Sequence, residues 1–145
     1  MEFNLNQVMQ LIKKDAAQNL SVLDLEYSIE GDLLTVSGTA GYTNPDCDFD
    51  ILFMVWDNGD CDFGANFGKI EESLATLKII NKFNAVNTPF RAYIDETTSN
   101  LNLDYEFVDL DDISKFDHLL SQIIDILVCN IVSTEMRRLL SYVTE

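Results

Sequence analysis

Basic side chains are scarce in this sequence, which has 9 Lys and Arg residues against 25 Asp and Glu and a net charge of −16. A field of this sign repels nucleic acid and anionic membrane surfaces, so we expect neither as a partner. The charge suits a basic protein partner, and it equally suits simple solubility.

Histidine and cysteine are also few. The chain has one histidine, His118, and three cysteines without Cys-x-x-Cys spacing, Cys47, Cys61 and Cys129, which is too small a supply for a zinc site. An odd cysteine count in a domain of this size favours a reducing compartment. The N-terminus has no signal-peptide pattern, and the longest apolar stretch is well short of the roughly 18 residues that cross a bilayer. We expect a cytoplasmic protein.

Recognisable catalytic motifs are missing. The sequence has no dinucleotide-binding glycine pattern, P-loop, nucleophile elbow or His-Glu-x-x-His motif. His118 has no orienting partner at a spacing that can be argued, so a surface position is expected. A calcium loop starting at Asp46 fails, because Ile51 stands where glycine is needed and Asp57 where glutamate is needed. We expect no catalytic residue, no cofactor and no metal site.

The apolar residues that are present, 47% of the chain, predict one domain over residues 1–145 with its own core. Helical spacing predicts a first helix over residues 4–19 with Asn4 as its N-cap. A second helix is predicted from about Lys69 to Asn84. A third is predicted for about thirty residues after Asp111 or Asp112, with room for a break near residues 133–134 and with Val143 in its apolar stripe. The predicted apolar stripe of the second helix is Ile70, Leu74, Leu77 and Phe83, with Ile80 beside it.

Alternating apolar and polar residues predict two consecutive hairpins between the first two helices. Gly31-Asp32 is typical of a type II′ turn, and a three-residue loop at residues 57–59, with Gly59 in the left-handed conformation, closes the second hairpin. Both registers keep one face apolar. The first hairpin pairs Ile29 with Leu34, Tyr27 with Val36 and Leu25 with Gly38. The second pairs Val55 with Cys61, Phe53 with Phe63, Ile51 with Ala65 and Phe49 with Phe67, so Cys47 and Cys61 are core residues.

A third hairpin is predicted between the last two helices, with Ile94 opposite Leu101, Ala92 opposite Leu103, and Arg91 paired with Asp104 on the outer face. The element order is therefore α-ββββ-α-ββ-α. It predicts an α+β domain with a largely antiparallel sheet and helices packed on one face.

Residues 72–116 carry a pattern of their own. An apolar helix closes in Asn81-Lys82-Phe83-Asn84, and a strand Phe-Arg-Ala-Tyr-Ile-Asp, a polar loop, the alternating strand Leu-Asn-Leu-Asp-Tyr-Glu and a long helix follow. In this pattern the chain resembles the YbjN-like family of bacterial sensory transduction regulators, whose fold is similar to that of type III secretion chaperones. The resemblance implies a self-associating α+β domain with a role in protein binding or stress-linked regulation. It transfers no functional residue, because the family has no defined active site.

The outer face of the predicted third strand carries an apolar stripe, and Tyr93 shares that face on another strand. The three residues of the stripe, which lie opposite Gly64, Asp62 and Asp60, are Leu52, Met54 and Trp56. An apolar stripe in an acidic face is typical of a partner-binding or dimer surface. The alternative is that a loop, a helix end or a second subunit covers it, and the carboxylates around it are also what a solvated sheet face requires.

Three functional hypotheses follow. The first is a non-enzymatic protein-interaction domain, chaperone-like or regulatory, that forms a homodimer and binds through the stripe or through exposed helix faces. The second is an acidic inhibitor or immunity-type protein that occupies a basic site on its partner. The third is an enzyme whose site these motifs do not reveal, and it requires a pocket with converging polar groups.

Overall fold

The computed structural model describes residues 4–43, 46–86, 90–107, 114–121, 123 and 135–144. Within them the chain forms four helices and one antiparallel sheet of seven strands, which confirms the predicted α+β class. In chain order the elements are α1 (Leu5–Asn19), β1 (Val22–Glu30), β2 (Leu33–Thr43), β3 (Asp46–Trp56), β4 (Cys61–Ile70), α2 (Leu74–Val86), β5 (Arg91–Ile94), β6 (Asn100–Phe107), α3 (residues 114–121 and 123), α4 (Glu135–Leu140) and β7 (Val143–Thr144). None of the described helices is long and apolar enough to cross a membrane.

Helix α1 begins where the sequence predicts. The side chain of Asn4 accepts a hydrogen bond from the backbone N–H of Gln7 at 3.2 Å, which satisfies one of the free donors of the first turn. The apolar stripe predicted for this helix faces the sheet. Its buried members are Leu5, Val8, Ile12 and Ala16.

The first two hairpins form in the predicted registers. At the first turn Gly31 has a φ of 61° and Ile29 pairs with Leu34, as a two-residue turn requires. At the second turn Gly59 has a φ of 95°, and Val55 pairs with Cys61. Turn chemistry and strand alternation therefore determine these registers together.

Strand β2 approaches β1 very closely at Gly38. This residue has a φ of 138°, and a Cβ added to it would overlap the backbone carbonyl of Asp24. Only glycine is compatible with both the dihedral angle and the contact, so Gly38 sets how closely the first two strands can pack.

The third hairpin also has its predicted register, with Ile94 opposite Leu101 and Arg91 opposite Asp104. The strand order of the sheet is β1-β2-β3-β4-β6-β5, and β7 pairs with the end of β4. Pairing of β4 with β6 joins the two halves of the chain into one sheet. Among the described strands, β1 and β5 stand at the two ends of this order.

The prediction for the second helix is wrong in its start and in part of its buried face, although Ile80 and Phe83 are buried as predicted. Strand β4 continues to Ile70, after a register irregularity near Gly68. The helix therefore begins at Leu74, after the strand has ended, and not at about Lys69. Its start is a reciprocal cap, because the Ser73 hydroxyl accepts from the Thr76 N–H at 3.2 Å and the Thr76 hydroxyl accepts from the Ser73 N–H at 2.9 Å. The buried residues are Thr76, Ile79, Ile80 and Phe83, whereas Leu74 and Leu77 are 71% and 40% exposed.

The C-terminal prediction is also wrong in part. Helix α4 ends at Leu140, and Val143 lies in β7 opposite Ile70 of β4 instead of continuing a helical stripe. A β-branched residue is better suited to this strand pairing than to a helix. The predicted break near residues 133–134 lies outside the described residues.

All four helices contribute to one core on the inner face of the sheet. Phe53 of β3 lies at its centre, 5.5 Å from the Phe63 ring and 6.0 Å from the ring of Phe116 on α3. Cys61 is buried there as predicted, and burial raises the pKa of its thiol, with the charges of Asp60 and Asp62 acting in the same direction. Its side chain therefore packs in the core as a small apolar group.

Candidate functional site

The candidate site lies on the outer face of the sheet, which we define as the face opposite the core. Residues paired across antiparallel strands point to the same face. Pairing of Leu52 with Gly64 and of Met54 with Asp62 therefore places the predicted stripe on this face. The Trp56 N–H donates to the Asp60 carbonyl at 2.9 Å, which extends the same row to the loop.

Within the stripe, Leu52 is the most accessible residue, with 45% of its surface exposed. It stands between two small residues, Ser37 of β2 and Gly64 of β4, neither of which can cover it. Met54 and Trp56 are half-buried. The stripe is therefore one accessible leucine continued by two partly shielded apolar side chains.

A shallow depression of about 510 Å³ lies beside Leu52. Gly64 forms part of its floor, because this position has no side chain to fill the space. A Cβ built there would lie 3.5 Å from the nearest carboxylate oxygen of Asp104, which is an ordinary contact. The other outer-face residues that line the depression are Leu52, Met54, Asp62, Arg91 and Asp104.

Arg91 supplies a positive group at the far wall of the depression. Its guanidinium lies 3.7 Å from the Asp104 carboxylate and 4.7 Å from the centre of the Tyr93 ring. Burial raises the pKa of Tyr93, and hydrogen bonding to Asp104 raises it further. The three side chains form a cluster in which the cation is held between an acid and an aromatic ring.

The structure does not bring Tyr93 to the stripe. Strands β4 and β6 separate β3 from β5, so at about 4.8 Å per strand Tyr93 is about 14 Å from the stripe. Arg91 and Asp104, which the sequence indicated only as a surface ion pair, line the depression instead. The signal that would have found them is the pairing of β4 with β6, a contact between distant segments.

Carboxylates surround the stripe. Among the residues whose side chains the structure describes, those on the outer face are Asp24, Glu26 and Glu30 of β1, Asp48 and Asp50 of β3, Asp62 of β4 and Asp104 of β6. Asp50 accepts a hydrogen bond from the Thr39 hydroxyl at 3.0 Å. In the described part of the chain, no three His, Cys, Asp or Glu side chains are grouped to hold a metal ion.

Positive charge is concentrated on the other side of the molecule. Seven of the nine basic residues lie in the four described helices, together with three acidic residues. The seven are Lys13, Lys14, Lys78, Lys82, Lys115, Arg137 and Arg138. The helical layer and the outer face therefore carry opposite excesses of charge.

The remaining sequence candidates lie away from this site. His118 is exposed on α3, as predicted, and is not among the residues lining the depression. The predictions that the side chains of Cys47 and Cys129 belong to the core lie outside the described residues.

Comparison with known proteins finds no match, since no family model, no curated protein and no solved structure matches the chain. The resemblance to the YbjN-like family therefore stays a prediction, and function is argued from the site itself.

Proposed function

We propose that the chain is a non-enzymatic protein-interaction domain, chaperone-like or regulatory, that binds a basic partner on its outer face. The observation that supports this most directly is Leu52, 45% exposed beside a depression of about 510 Å³. Carboxylates at Asp50 and Asp62 flank it. The complementary partner surface has one apolar anchor with Lys or Arg around it.

The apolar and charged parts of this surface have different roles. Leu52 is 45% exposed, so a partner can newly bury just under half of its surface, which contributes about 0.7–1.4 kcal/mol, whereas an exposed ion pair contributes about 0–1 kcal/mol. The apolar anchor therefore contributes at least as much affinity as any single ion pair. The carboxylates guide encounter and disfavour acidic partners.

The test compares surface variants with the unchanged chain. Partners captured from the native cytoplasm are identified, purified and titrated against Leu52→Asp and Gly64→Val. The first variant places a charge in the apolar stripe, and the second fills the depression without adding charge. We expect each to weaken binding at least about tenfold without lowering the unfolding midpoint.

Val86→Asp is the matched control, because it adds the same charge to an exposed apolar residue in the last turn of α2, remote from the outer face. It should leave the affinity unchanged. Equal binding by Leu52→Asp and the unchanged chain would show that the stripe is not the interface.

The second candidate, an acidic inhibitor or immunity-type protein, is favoured by the number of carboxylates on the outer face. Salt distinguishes the two, because the screening length falls from about 10 Å at 0.1 M to about 3 Å at 1 M. Binding through the apolar anchor should persist at high salt. Binding that disappears there, and that Leu52→Asp does not weaken, supports the inhibitor.

The enzyme hypothesis is the third. The depression is larger than the volume of a few water molecules, and Asp62, Arg91 and Asp104 line it. Its size and lining are therefore compatible with an enzyme. We favour binding over catalysis because Arg91 already neutralises Asp104 and the shallow site leaves water in contact with the polar groups.

We also propose that the protein is a cytoplasmic homodimer. The buried free thiol of Cys61 suits a reducing compartment. Two acidic outer faces repel each other, so the dimer is better placed on α2. There Leu74 and Leu77 are exposed beside Lys78.

A further inference from the structure

The two edges of the sheet differ in the availability of their backbone groups. Strand β5 has four residues, and the side-chain amide of Asn84 bonds both backbone groups of Ala92 on its outward side. Strand β1 has nine residues without proline, and in the described part of the chain no strand pairs with its outward side. A strand edge of this length is a template for a further strand.

The hairpin turn determines which groups of β1 face outward. Glu30 and Leu33 flank the two-residue turn and exchange hydrogen bonds, and in an antiparallel ladder only every second residue bonds to the same neighbour. The alternate residues, which direct their N–H and C=O groups away from β2, are therefore Leu23, Leu25, Tyr27 and Ile29. These are four donors and four acceptors in a row.

The side chains of β1 specify the chemistry of an added strand. On the inner face, Leu23 and Ile29 are 43% and 36% exposed, because β1 is the last strand over the core. On the outer face, Asp24, Glu26 and Glu30 are all exposed. A complementary strand extends the apolar layer on one face and brings positive charge to the other.

We propose that the β1 edge binds an extended segment of a protein partner in which Lys or Arg alternates with apolar residues. The segment adds as an outer strand, its backbone pairing with Leu25, Tyr27 and Ile29. Its basic side chains face Glu26 and Glu30. This surface lies two strands from Leu52 and does not rest on the proposed function of the stripe.

A second copy of β1 is a poor occupant. Antiparallel self-pairing centred on Glu26 sets that residue opposite itself, and pairing centred on Tyr27 sets Asp24 opposite Glu30 of the other copy. Centring on Leu25 sets Asp24 opposite Glu26. Like charges directly opposite each other destabilise a strand pair, so the charges of this edge disfavour self-pairing and favour a basic strand.

The test uses a labelled, end-capped peptide that alternates four lysines with three valines, titrated against the full chain. Two further peptides carry backbone N-methyl groups, one on the valines and the other on the two inner lysines. Alternate residues of an extended peptide direct their backbone N–H groups to opposite sides, so each methylated peptide loses the hydrogen-bond donors of one side. The two peptides have nearly equal charge and hydrophobicity. We expect one methylated peptide to bind like the parent and the other to lose at least about tenfold.

Protein variants complete the test. Glu26→Lys with Glu30→Lys should weaken binding of the lysine peptide at least about tenfold and create affinity for the matching glutamate peptide. Leu52→Asp, the variant that tests the stripe, should leave the lysine peptide bound within about twofold, so failure of one proposal is separable from failure of the other.

Three results would each overturn the β1 proposal. They are equal binding of the two methylated peptides, equal binding of a peptide with the lysines and valines in blocks, and no binding at about 1 mM.

Discussion

The side-chain amide of Asn84 takes the place of a neighbouring strand for Ala92. Its Nδ2 donates to the Ala92 carbonyl at 3.0 Å, and its Oδ1 accepts from the Ala92 N–H at 2.8 Å. A residue of α2 thereby saturates the two outward backbone groups of Ala92 in the short edge strand β5. This protects one edge of the sheet from unintended pairing.

Asn84→Ala should lower the free energy of unfolding by about 1–3 kcal/mol, because the buried Ala92 amide and carbonyl then lose their partners. Urea denaturation measures the change, and hydrogen exchange of the Ala92 amide should accelerate. Asn81→Ala, an exposed asparagine on the same helix, is the control and should have little effect. Equal losses in the two variants would refute the assignment.

Gly38→Ala should lower the free energy of unfolding by at least about 2 kcal/mol, because the added methyl group overlaps the Asp24 carbonyl at a φ of 138°. Gly64→Ala is the matched control in the same sheet. Its added Cβ has room, and the strand gains about 0.5–1 kcal/mol from replacement of glycine. The two variants should therefore shift the thermal midpoint in opposite directions.

Asp95 should make the stability pH-dependent in acid. Its carboxylate accepts from the N–H groups of Thr98 and Thr97 at 3.0 and 2.8 Å, and these bonds lower its pKa. Because the pKa of Asp95 in the folded state lies below the unfolded value of about 3.9, the ionised carboxylate stabilises the fold fully at pH values above about 3.9. This stabilisation is lost as the pH falls through the pKa of the folded state.

Asp95→Asn keeps an oxygen acceptor but cannot titrate, so its stability should fall less than that of the unchanged chain between neutral pH and about pH 2.5. Glu96→Gln controls for the loss of one charge. Parallel stability curves for Asp95→Asn and the unchanged chain would contradict the role of the carboxylate.

Leu74→Asp should convert the proposed dimer to a monomer, because it places a charge in the exposed apolar surface of α2. Light scattering at several protein concentrations measures the mass. Leu52→Asp carries the same change on the outer face and should stay dimeric. A monomeric unchanged chain at about 100 µM would remove the dimer proposal, and a monomer produced by Leu52→Asp alone would move it to the stripe.

Local features of the sheet could be predicted from the sequence because two signals agree there. The Gly31 turn and the alternation of Ile29 and Tyr27 each require the same register, and the same holds around Gly59. The pairing of β4 with β6 has no such signal. It joins strands that are separated in the chain by helix α2 and strand β5, so neither turn geometry nor periodicity specifies it.

The error in the second helix has a physical origin. Leu74 and Leu77 fit a helical stripe in spacing, but Ile70 is held in β4 by pairing with Val143 of β7. The reciprocal cap of Ser73 and Thr76 then starts the helix with another face inward. Ser-x-x-Thr was the available signal for this start, and the long-range pairing with β7 was not visible.

The candidate site was predictable only along one strand. Leu52, Met54 and Trp56 share a face by alternation, so the register of their own hairpin was sufficient to place them. Arg91 and Asp104 join the depression through the order of β4 and β6, and the same order holds Tyr93 away from the stripe. Neighbours across a sheet follow from topology, which local patterns do not specify.

The separation of charge between the helical layer and the outer face gives the protein a permanent electric dipole directed through the sheet. Near a strongly basic partner this dipole experiences a torque before any contact is made. The molecule should therefore rotate during approach so that the carboxylate-bearing side leads. Orientation, and not only attraction, would then raise the fraction of collisions that are productive. Added salt would reduce this fraction even at low concentration, because it screens the field that orients the molecule.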